Sequence, residues 1–241
     1  MAERKTRKRT TERKPPGPSL RRRLRRGFLR AGLVVVLLAA ALIGLFAVVP
    51  PPTTPYMLAE SRRLGGVAQD WVPMERIAPV MARSAVAAED ANFCLHWGLD
   101  LTAIRAALEA GSERGASTIS QQVVKNVYLW HGRSWVRKVL EAAITPVVEL
   151  VWTKRRILEV YLNVAEFGEG IFGVEAASRA WFGVPAADLD PSQAARLAAV
   201  LPDPKGRSAV EPDAYLRRRA ADIADGAATI DRDGRAGCFG G

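Results

Sequence analysis

The hydropathy pattern of the chain is dominated by one uninterrupted apolar run near its start. The run reads AGLVVVLLAAALIGLFAVV over residues 31–49 and contains no charged side chain. At about 1.5 Å per residue, a helix of this length spans roughly 28 Å, close to the hydrocarbon thickness of a bilayer. The run is too long for a cleaved signal peptide, and no A-x-A cleavage pattern follows it. The pattern therefore predicts a single transmembrane helix over residues 31–49.

The pattern beyond this run is helical almost throughout. Apolar side chains recur at three- and four-residue spacing in segments such as ERIAPVMARSAVAAED and KRRILEVYLN. Helix starts are marked by Thr118 with Gln121, a capping-box pair, and by Asp190 followed by Pro191. There is no run of alternating strand residues and no internal repeat. The sequence predicts a mostly α domain.

Proline and glycine mark the ends of this domain. PPPTTP follows the apolar run, which predicts a stiff, extended spacer over residues 50–58. The domain itself is predicted over residues 59–230. The Gly-rich end of the chain, residues 231–241, is predicted to be frayed.

The positive charge of the chain lies almost entirely in residues 1–30. These residues hold thirteen lysines and arginines against two acids, whereas the other 211 residues hold 22 bases and 23 acids. A DNA-binding domain would carry a basic face of its own, so no nucleic-acid partner is expected. The basic flank of a membrane span normally stays inside, which predicts that residues 1–30 form a cytoplasmic tail. Such a tail is also suited to anionic lipid headgroups.

The chain is poor in metal-ligating side chains. It contains two cysteines, Cys94 and Cys238, and two histidines. The cysteines could pair, and the sequence leaves that open. A Cys/His zinc site would need all four residues, so the sequence predicts no metal site of this kind.

Four short stretches carry more polar residues than a helix core needs. They read EDANFCLHWG (89–98), RGASTISQQVVKN (114–126), RSWVRKVLE (133–141) and ILEVYLN (157–163). In the second stretch, small residues lead into a helix N-terminus, whose free N–H groups suit a phosphate. Each stretch alone is also compatible with a solvated helix face. Together they suit a substrate with a sugar, a phosphate leaving group and a lipid tail.

These stretches resemble, in order and spacing, the motifs of glycosyltransferase family 51, the peptidoglycan glycosyltransferases. The resemblance covers about Ala59 to Pro204 and rests on EDANFCLHWGLD, GASTISQQVVKN, RKVLE and ILEVYLN. The segment from Asn163 to Gly183 also resembles the monofunctional branch of the family in Gram-negative bacteria. The 37 residues after Pro204 are too few for a transpeptidase domain, which agrees with that branch. The resemblance implies a mostly α, lysozyme-like fold and lipid II as substrate.

The resemblance also implies the roles of individual residues. Glu89 matches the general base, which takes the proton from the 4-hydroxyl of the acceptor sugar in an inverting transfer. Lys125, Arg133 and Arg137 match the cations that face the departing diphosphate. Glu141 matches a second catalytic acid. Its role is left open between orienting those cations, holding a divalent metal and assisting the leaving group.

Further motif positions match residues that bind the substrate or shape its site. They are Asp90, Phe93, His96, Ser117, Thr118, Gln121, Gln122, Asn126, Glu159 and Asn163. The resemblance implies that the reaction requires no cofactor. It leaves open whether a divalent cation binds at the diphosphate.

The implied partners are lipid II, the growing glycan strand and the lipid bilayer, with penicillin-binding proteins and the division or elongation machinery as further candidates. The implied location is the cell inner membrane, with the catalytic domain in the periplasm. Two alternatives remain. A lysozyme-like peptidoglycan hydrolase would also use two acids, but it has no need of a cation cluster. A membrane-anchored scaffold would leave all four motifs unused.

Overall fold

The computed structural model describes residues 20–109, 117–132 and 134–240. The chain divides into two units between Leu42 and Ile43. The first element is helix α1 (Leu20–Phe46), and its part from Leu24 to Phe46 is long and apolar enough to cross a membrane, with a mean hydropathy of 2.5. The helix begins eleven residues before the predicted span of 31–49, because the Arg- and Leu-rich flank also consists of good helix formers.

The segment predicted as an extended spacer, residues 50–58, is packed against the domain instead. Pro51 is buried, and Thr54 caps a second helix, α2 (Pro55–Leu64), by accepting a hydrogen bond from the backbone N–H of Met57 at 3.1 Å. A proline at the first position of a helix loses no hydrogen bond, so Pro55 starts the helix rather than preventing it. The prediction of an extended spacer is therefore wrong for residues 55–58, which belong to α2.

The predicted mostly α class is confirmed. Beyond α2, eight further helices form most of the described part of the second unit. They are α3 (Pro79–Glu89), α4 (Leu101–Glu109), α5 (Ile119–Tyr128), α6 (Trp135–Val151), α7 (Lys154–Val164), α8 (Val174–Phe182), α9 (Pro191–Val200) and α10 (Ala214–Arg232). Short 3-10 turns cover Met74–Arg76 and Ala186–Asp188.

A small sheet was not predicted from the sequence. Its strands are β1 (Ala68–Gln69), β2 (Glu166–Gly168) and β3 (Ile171–Phe172), in the order β1-β3-β2. β3 pairs parallel to β1 and antiparallel to β2. Strands of two or three residues are too short to show an alternating pattern, so periodicity could not reveal them.

The core of the domain is built around α7. Ile157, Leu158 and Leu162 on this helix are fully buried, and α5 packs between α7 and α6. The last helix, α10, packs against both α3 and α9. This arrangement brings the end of α3, the start of α5 and one turn of α6 to the same region, where Glu89, Gln122 and Glu141 lie.

Residues 231–240 are ordered, contrary to the prediction of a frayed end over residues 231–241, and Gly241 lies outside the described residues. Helix α10 extends to Arg232, Phe239 is only 2% exposed, and Cys238 forms a disulfide with Cys94. A buried aromatic ring and a covalent link hold a segment that its glycine content alone would leave free. The cysteine pairing that the sequence left open is therefore present.

Candidate active site

Glu89 is the last residue of α3 and its side chain is largely enclosed. Gln122 on α5 donates a hydrogen bond from Nε2 to Glu89 Oε2 at 2.9 Å, and Arg219 Nη2 on α10 lies 3.7 Å from Oε1. Burial raises the pKa of Glu89 above its ordinary value, against the lowering effects of the Gln122 hydrogen bond and of Arg219 and Lys125. The result is a carboxylate of increased basicity held by two neighbouring helices.

Asp90, which follows Glu89, connects the end of α3 to the start of α5. Its Oδ2 accepts a hydrogen bond from the backbone N–H of Ile119 at 3.0 Å, and its Oδ1 lies 2.8 Å from His96 Nε2. Phe93 is fully buried, with Lys154 Nζ 4.4 Å from its ring centroid. These three predicted substrate-binding residues thus pack within the protein and connect the loop after Glu89 to α5.

Most backbone N–H groups at the N-terminus of α5 are satisfied within the protein, so the helix start offers fewer of them to a phosphate than the sequence interpretation expected. Thr118 and Gln121 form the predicted capping box, and Asp90 takes the N–H of Ile119. Thr118 Oγ1 also donates to the carbonyl of Gly98 at 2.6 Å. A buried helix start needs its donors satisfied by side chains, so these groups are occupied before any ligand arrives.

Two cations contact Glu141 on the first turns of α6: Arg137, which was predicted, and Lys138, which was not. Arg137 Nη1 donates to Glu141 Oε2 at 2.7 Å, and Lys138 donates to Oε1. Lys138 also donates to Ser117 Oγ at 3.1 Å, which places Ser117 at the edge of the cluster. Glu141 is 2% exposed, so its charge is buried and both of its oxygens are paired.

Lys125 faces this cluster from α5. Burial lowers the pKa of Lys125, while Glu141 and Glu89 act to raise it. The pKa of this ammonium therefore depends on both carboxylates. Within residues 20–109, 117–132 and 134–240 it forms no salt bridge. Arg133, the third predicted cation, lies outside the described residues.

Glu159 and Asn163 share one face of α7, as predicted, but that face holds the chain before α3. Glu159 Oε2 accepts from the backbone N–H of Met74 at 3.0 Å. Asn163 accepts from the N–H of Val72 and donates to its carbonyl, both at 2.9 Å. The structure therefore places both residues in the scaffold rather than in the cleft.

A polar cleft opens next to Gln122, Lys125 and Asn126. Its volume is about 270 Å³, and its far wall was not predicted from the sequence. That wall is formed by Tyr56, His131, Glu166 and Lys205, together with the segment Leu201–Pro204.

The far wall is held by its own contacts. The Tyr56 hydroxyl donates to Glu166 Oε2 at 2.5 Å, and its ring stacks on His131 with centroids 3.4 Å apart. Burial, with Lys125 and Arg137 nearby, lowers the pKa of His131 to about 4, so this imidazole is neutral at physiological pH. The wall thus carries a neutral ring next to the cations.

Comparison with known proteins decides the family. A family model described as Transglycosylase matches residues 58–228, which is most of the chain. The chain belongs to this transglycosylase family. The lysozyme-like, mostly helical fold that the sequence resemblance implied is thereby confirmed, and so is membership in a family of glycosyl-transferring enzymes.

Similar proteins support the same assignment for this transglycosylase. A protein of Jannaschia sp. (strain CCS1) is 66% identical over 194 residues, covering 80% of this chain and 81% of its own. One of Rhodospirillum centenum is 51% identical over 178 residues, covering 72% and 77%, and one of Pectobacterium carotovorum is 61% identical over 155 residues, covering 62% and 64%. Each bears the name biosynthetic peptidoglycan transglycosylase.

Several residues of the transglycosylase site were not predicted from the sequence. Lys138 lies inside the motif RKVLE, and its spacing of three from Glu141 could have revealed it. Arg219 and Lys205 gave no local signal, because they reach the site from distant parts of the chain. Across the three described ranges of the chain, no group of three or more His, Cys, Asp or Glu side chains is placed to hold a metal ion.

Proposed function

We propose that this transglycosylase polymerises lipid II into β-1,4-linked glycan strands and releases undecaprenyl pyrophosphate. The observation that carries the proposal is the pairing of Glu89 with α5. The same helix that holds Glu89 through Gln122 also carries Lys125 toward the cations of α6. Gln122 and Lys125 also line the polar cleft, so α5 links a base for one sugar to cations for a leaving diphosphate.

In this proposal Glu89 acts as the general base. It accepts the proton of the 4-hydroxyl of the acceptor N-acetylglucosamine while that oxygen attacks C1 of the donor N-acetylmuramic acid. The bond from C1 to the diphosphate breaks on the opposite face, so the α-linked donor gives a β-linked product. A sugar hydroxyl is a very weak acid, and the raised pKa of Glu89 strengthens the base for this task.

The leaving diphosphate is proposed to meet Lys125, Arg137 and Lys138. Lys125 is the cation of this set without a salt bridge in the described ranges, so an incoming phosphate can pair with it without displacing a carboxylate. Arg133 belongs to the same proposal by its motif position. Preorganised cations in a water-poor cleft stabilise the charge that develops on the leaving group.

Glu141 is proposed to orient the cations rather than to hold a metal. Arg137 and Lys138 occupy its two oxygens, and a divalent ion would have to displace both. We therefore propose that the reaction requires no cofactor. The role of the second acid is then to fix the two cations at the spacing that a diphosphate needs.

The surface of the domain is suited to a substrate that resides in a membrane. Large apolar side chains are exposed on two elements, with Leu95 72% and Trp97 59% exposed before α4 and Trp135 79% exposed on α6. These elements adjoin, because a Cβ at Gly98 would lie 2.6 Å from Thr145 on α6. Exposed tryptophans of this kind favour a membrane interface.

The proposed location is the inner membrane, with the N-terminus in the cytoplasm and the domain in the periplasm. The basic flank of the span favours this orientation. The disulfide between Cys94 and Cys238 favours it independently, because disulfides persist in oxidising compartments.

The test is a polymerisation assay with the purified full chain and labelled lipid II, read on a gel that resolves glycan length. A ladder of products is the expected result, and it should persist when a chelator is added. A protein that shortens preformed glycan without building a ladder would be a hydrolase, and a protein that changes neither substrate would be a scaffold. Either outcome overturns the proposal. Loss of the ladder with chelator would overturn only the absence of a cofactor.

A further inference from the structure

The disulfide between Cys94 and Cys238 begins five residues after Glu89, the proposed base. It joins positions 144 residues apart in sequence, with their Cα atoms 5.7 Å apart. Cys94 belongs to the loop that follows Glu89, and Cys238 belongs to the segment after α10. The covalent link therefore closes the C-terminal segment onto the loop that carries Asp90, Phe93 and His96.

Non-covalent contacts strengthen this closure. Phe239 is 2% exposed and its ring centroid lies 6.2 Å from that of Phe93. Arg155 on α7 donates to the carbonyl of Phe239 at 3.0 Å, and Arg235 donates to the carbonyl of Ala91 at 3.3 Å. The C-terminal segment thus packs between the loop and α7.

A continuous chain of contacts runs from the disulfide to Glu89. Cys94 lies two residues before His96, which contacts Asp90, and Asp90 accepts the N–H of Ile119 at the start of α5. One turn further along α5, Gln122 donates to Glu89. A displacement of the loop would therefore move the hydrogen-bond partner of the proposed base.

The other end of the same C-terminal region also contacts the base. Arg219 on α10 donates to the carbonyl of Ala88 at 3.4 Å and lies 3.7 Å from Glu89 Oε1. Helix α10 packs along α3, and Arg83 on α3 forms a salt bridge with Asp231 at 3.2 Å. Arg219 on α10 thus lies next to the Glu89 carboxylate, the loop follows Glu89 directly in the chain, and the disulfide links the loop to the segment after α10.

We propose that the Cys94–Cys238 disulfide is a positioning element of the active site, which holds the loop 90–97 and helix α10 around Glu89. The inference rests on the proposed role of Glu89 as the base. Without the link, the loop and α10 separate more readily, water reaches the carboxylate, and the carboxylate loses both its orientation and its increased basicity. A disulfide that only stabilised the fold would leave the base unaltered in every folded molecule.

The experiment compares the full chain in detergent with the double variant Cys94→Ser/Cys238→Ser, using labelled lipid II as substrate. Turnover, KM and the pH dependence of turnover are measured at a temperature at which both proteins are folded by circular dichroism. We expect turnover to fall roughly tenfold, within the hundredfold loss that a misplacement of about 1 Å can cause. Affinity for a non-reactive lipid II analogue should change less than twofold, since the cations of α6 are anchored elsewhere.

The pH profile separates positioning from stability. Burial keeps the pKa of Glu89 raised, so better hydration should move the acidic limb of the profile to lower pH in the double variant. The control is Ser178→Ala on α8, which removes a partly buried hydrogen bond of 2.7 Å from Ser178 Oγ to the Val184 carbonyl. That variant should lose stability without any movement of the acidic limb.

Reduction of the unaltered protein gives a second measurement if the double variant does not fold. A phosphine reductant, with thiol formation confirmed by mass spectrometry, should lower turnover of the parent and shift its acidic limb. It should have no effect on the double variant when that variant folds. An unchanged turnover and an unchanged acidic limb after confirmed reduction would overturn the proposal. A glycan ladder from the parent in the same assay shows that such a failure concerns the disulfide and not the proposed activity.

Discussion

At the scale of single residues, Glu89 combines two properties that a general base needs. Its carboxylate is shielded from water, which raises its pKa, and it keeps one hydrogen bond from Gln122 that fixes its direction. A fully solvated glutamate would be a weak base for a sugar hydroxyl. The neighbouring acid, Asp90, is used differently, because its two oxygens are taken by His96 and Ile119.

The residue-scale prediction concerns Glu89→Gln. The amide keeps the shape of the side chain but cannot accept the proton, so polymerisation of lipid II should fall by about 10² to 10⁴. Binding of a non-reactive lipid II analogue should be retained. In the parent, the base must be ionised, so turnover should be lost as pH falls through the raised pKa of Glu89, above its ordinary value of 4.5.

Two controls accompany this prediction. Glu211→Gln, at an exposed position, should polymerise like the parent. Glu89→Gln should be at least as stable as the parent at neutral pH, because a carboxyl with a raised folded pKa binds its proton more tightly in the folded state and costs stability once it ionises. Turnover of Glu89→Gln within tenfold of the parent would show that another group is the base.

At the scale of elements, the site depends on how three helices meet. The end of α3 supplies Glu89, the first turns of α5 supply Gln122 and Lys125, and the first turns of α6 supply Arg137 and Glu141. On α6 the spacing of three and four residues puts Lys138 and Arg137 against the same carboxylate. The helix therefore presents two cations at a fixed separation.

The element-scale prediction concerns Glu141→Gln. Removing the buried charge releases Arg137 and Lys138 from their common partner, so the two cations are no longer held in place. Breaking a buried ion pair also commonly lowers the free energy of unfolding by about 3–5 kcal/mol. Affinity for the non-reactive lipid II analogue should therefore fall, and fall more than in Glu89→Gln. The measurement is binding of the labelled analogue to both variants under conditions in which both are folded. Equal affinities would mean that Glu141 does not organise the cations.

At the scale of the whole molecule, the chain combines an apolar N-terminal helix with a domain whose C-terminus is covalently closed. The helix from Leu24 to Phe46 is long enough to cross a bilayer, and the basic residues precede it. The disulfide lies in the unit that follows. Both features agree with a domain that works outside the cytoplasm.

The whole-molecule prediction concerns this topology. A reporter that is active only outside the cytoplasm, fused after Gly241, should be active in cells. The same reporter fused after Arg30, ahead of the apolar run of residues 31–49, should be silent. A silent but well-expressed fusion after Gly241 would contradict the proposed orientation.

The sequence by itself determined several helices, their caps and the motif residues, because each depends on neighbours within a few positions. Helix α2, which begins inside the predicted spacer, is an exception. Thr118 with Gln121, Arg137 with Glu141, and Glu159 with Asn163 are all local pairs, and all three are present as predicted. The family resemblance likewise rests on motifs of five to twelve residues.

Only the tertiary structure decided which of these residues face the cleft and what surrounds them. Burial of Glu89 depends on Arg219 and α10, and the far wall depends on Tyr56 and Lys205, none of which is near Glu89 in sequence. The order of the C-terminus depends on Cys94, 144 residues before Cys238. A local sequence pattern does not predict these long-range contacts. Desolvation and disulfide formation depend on groups that folding brings together from distant parts of the chain.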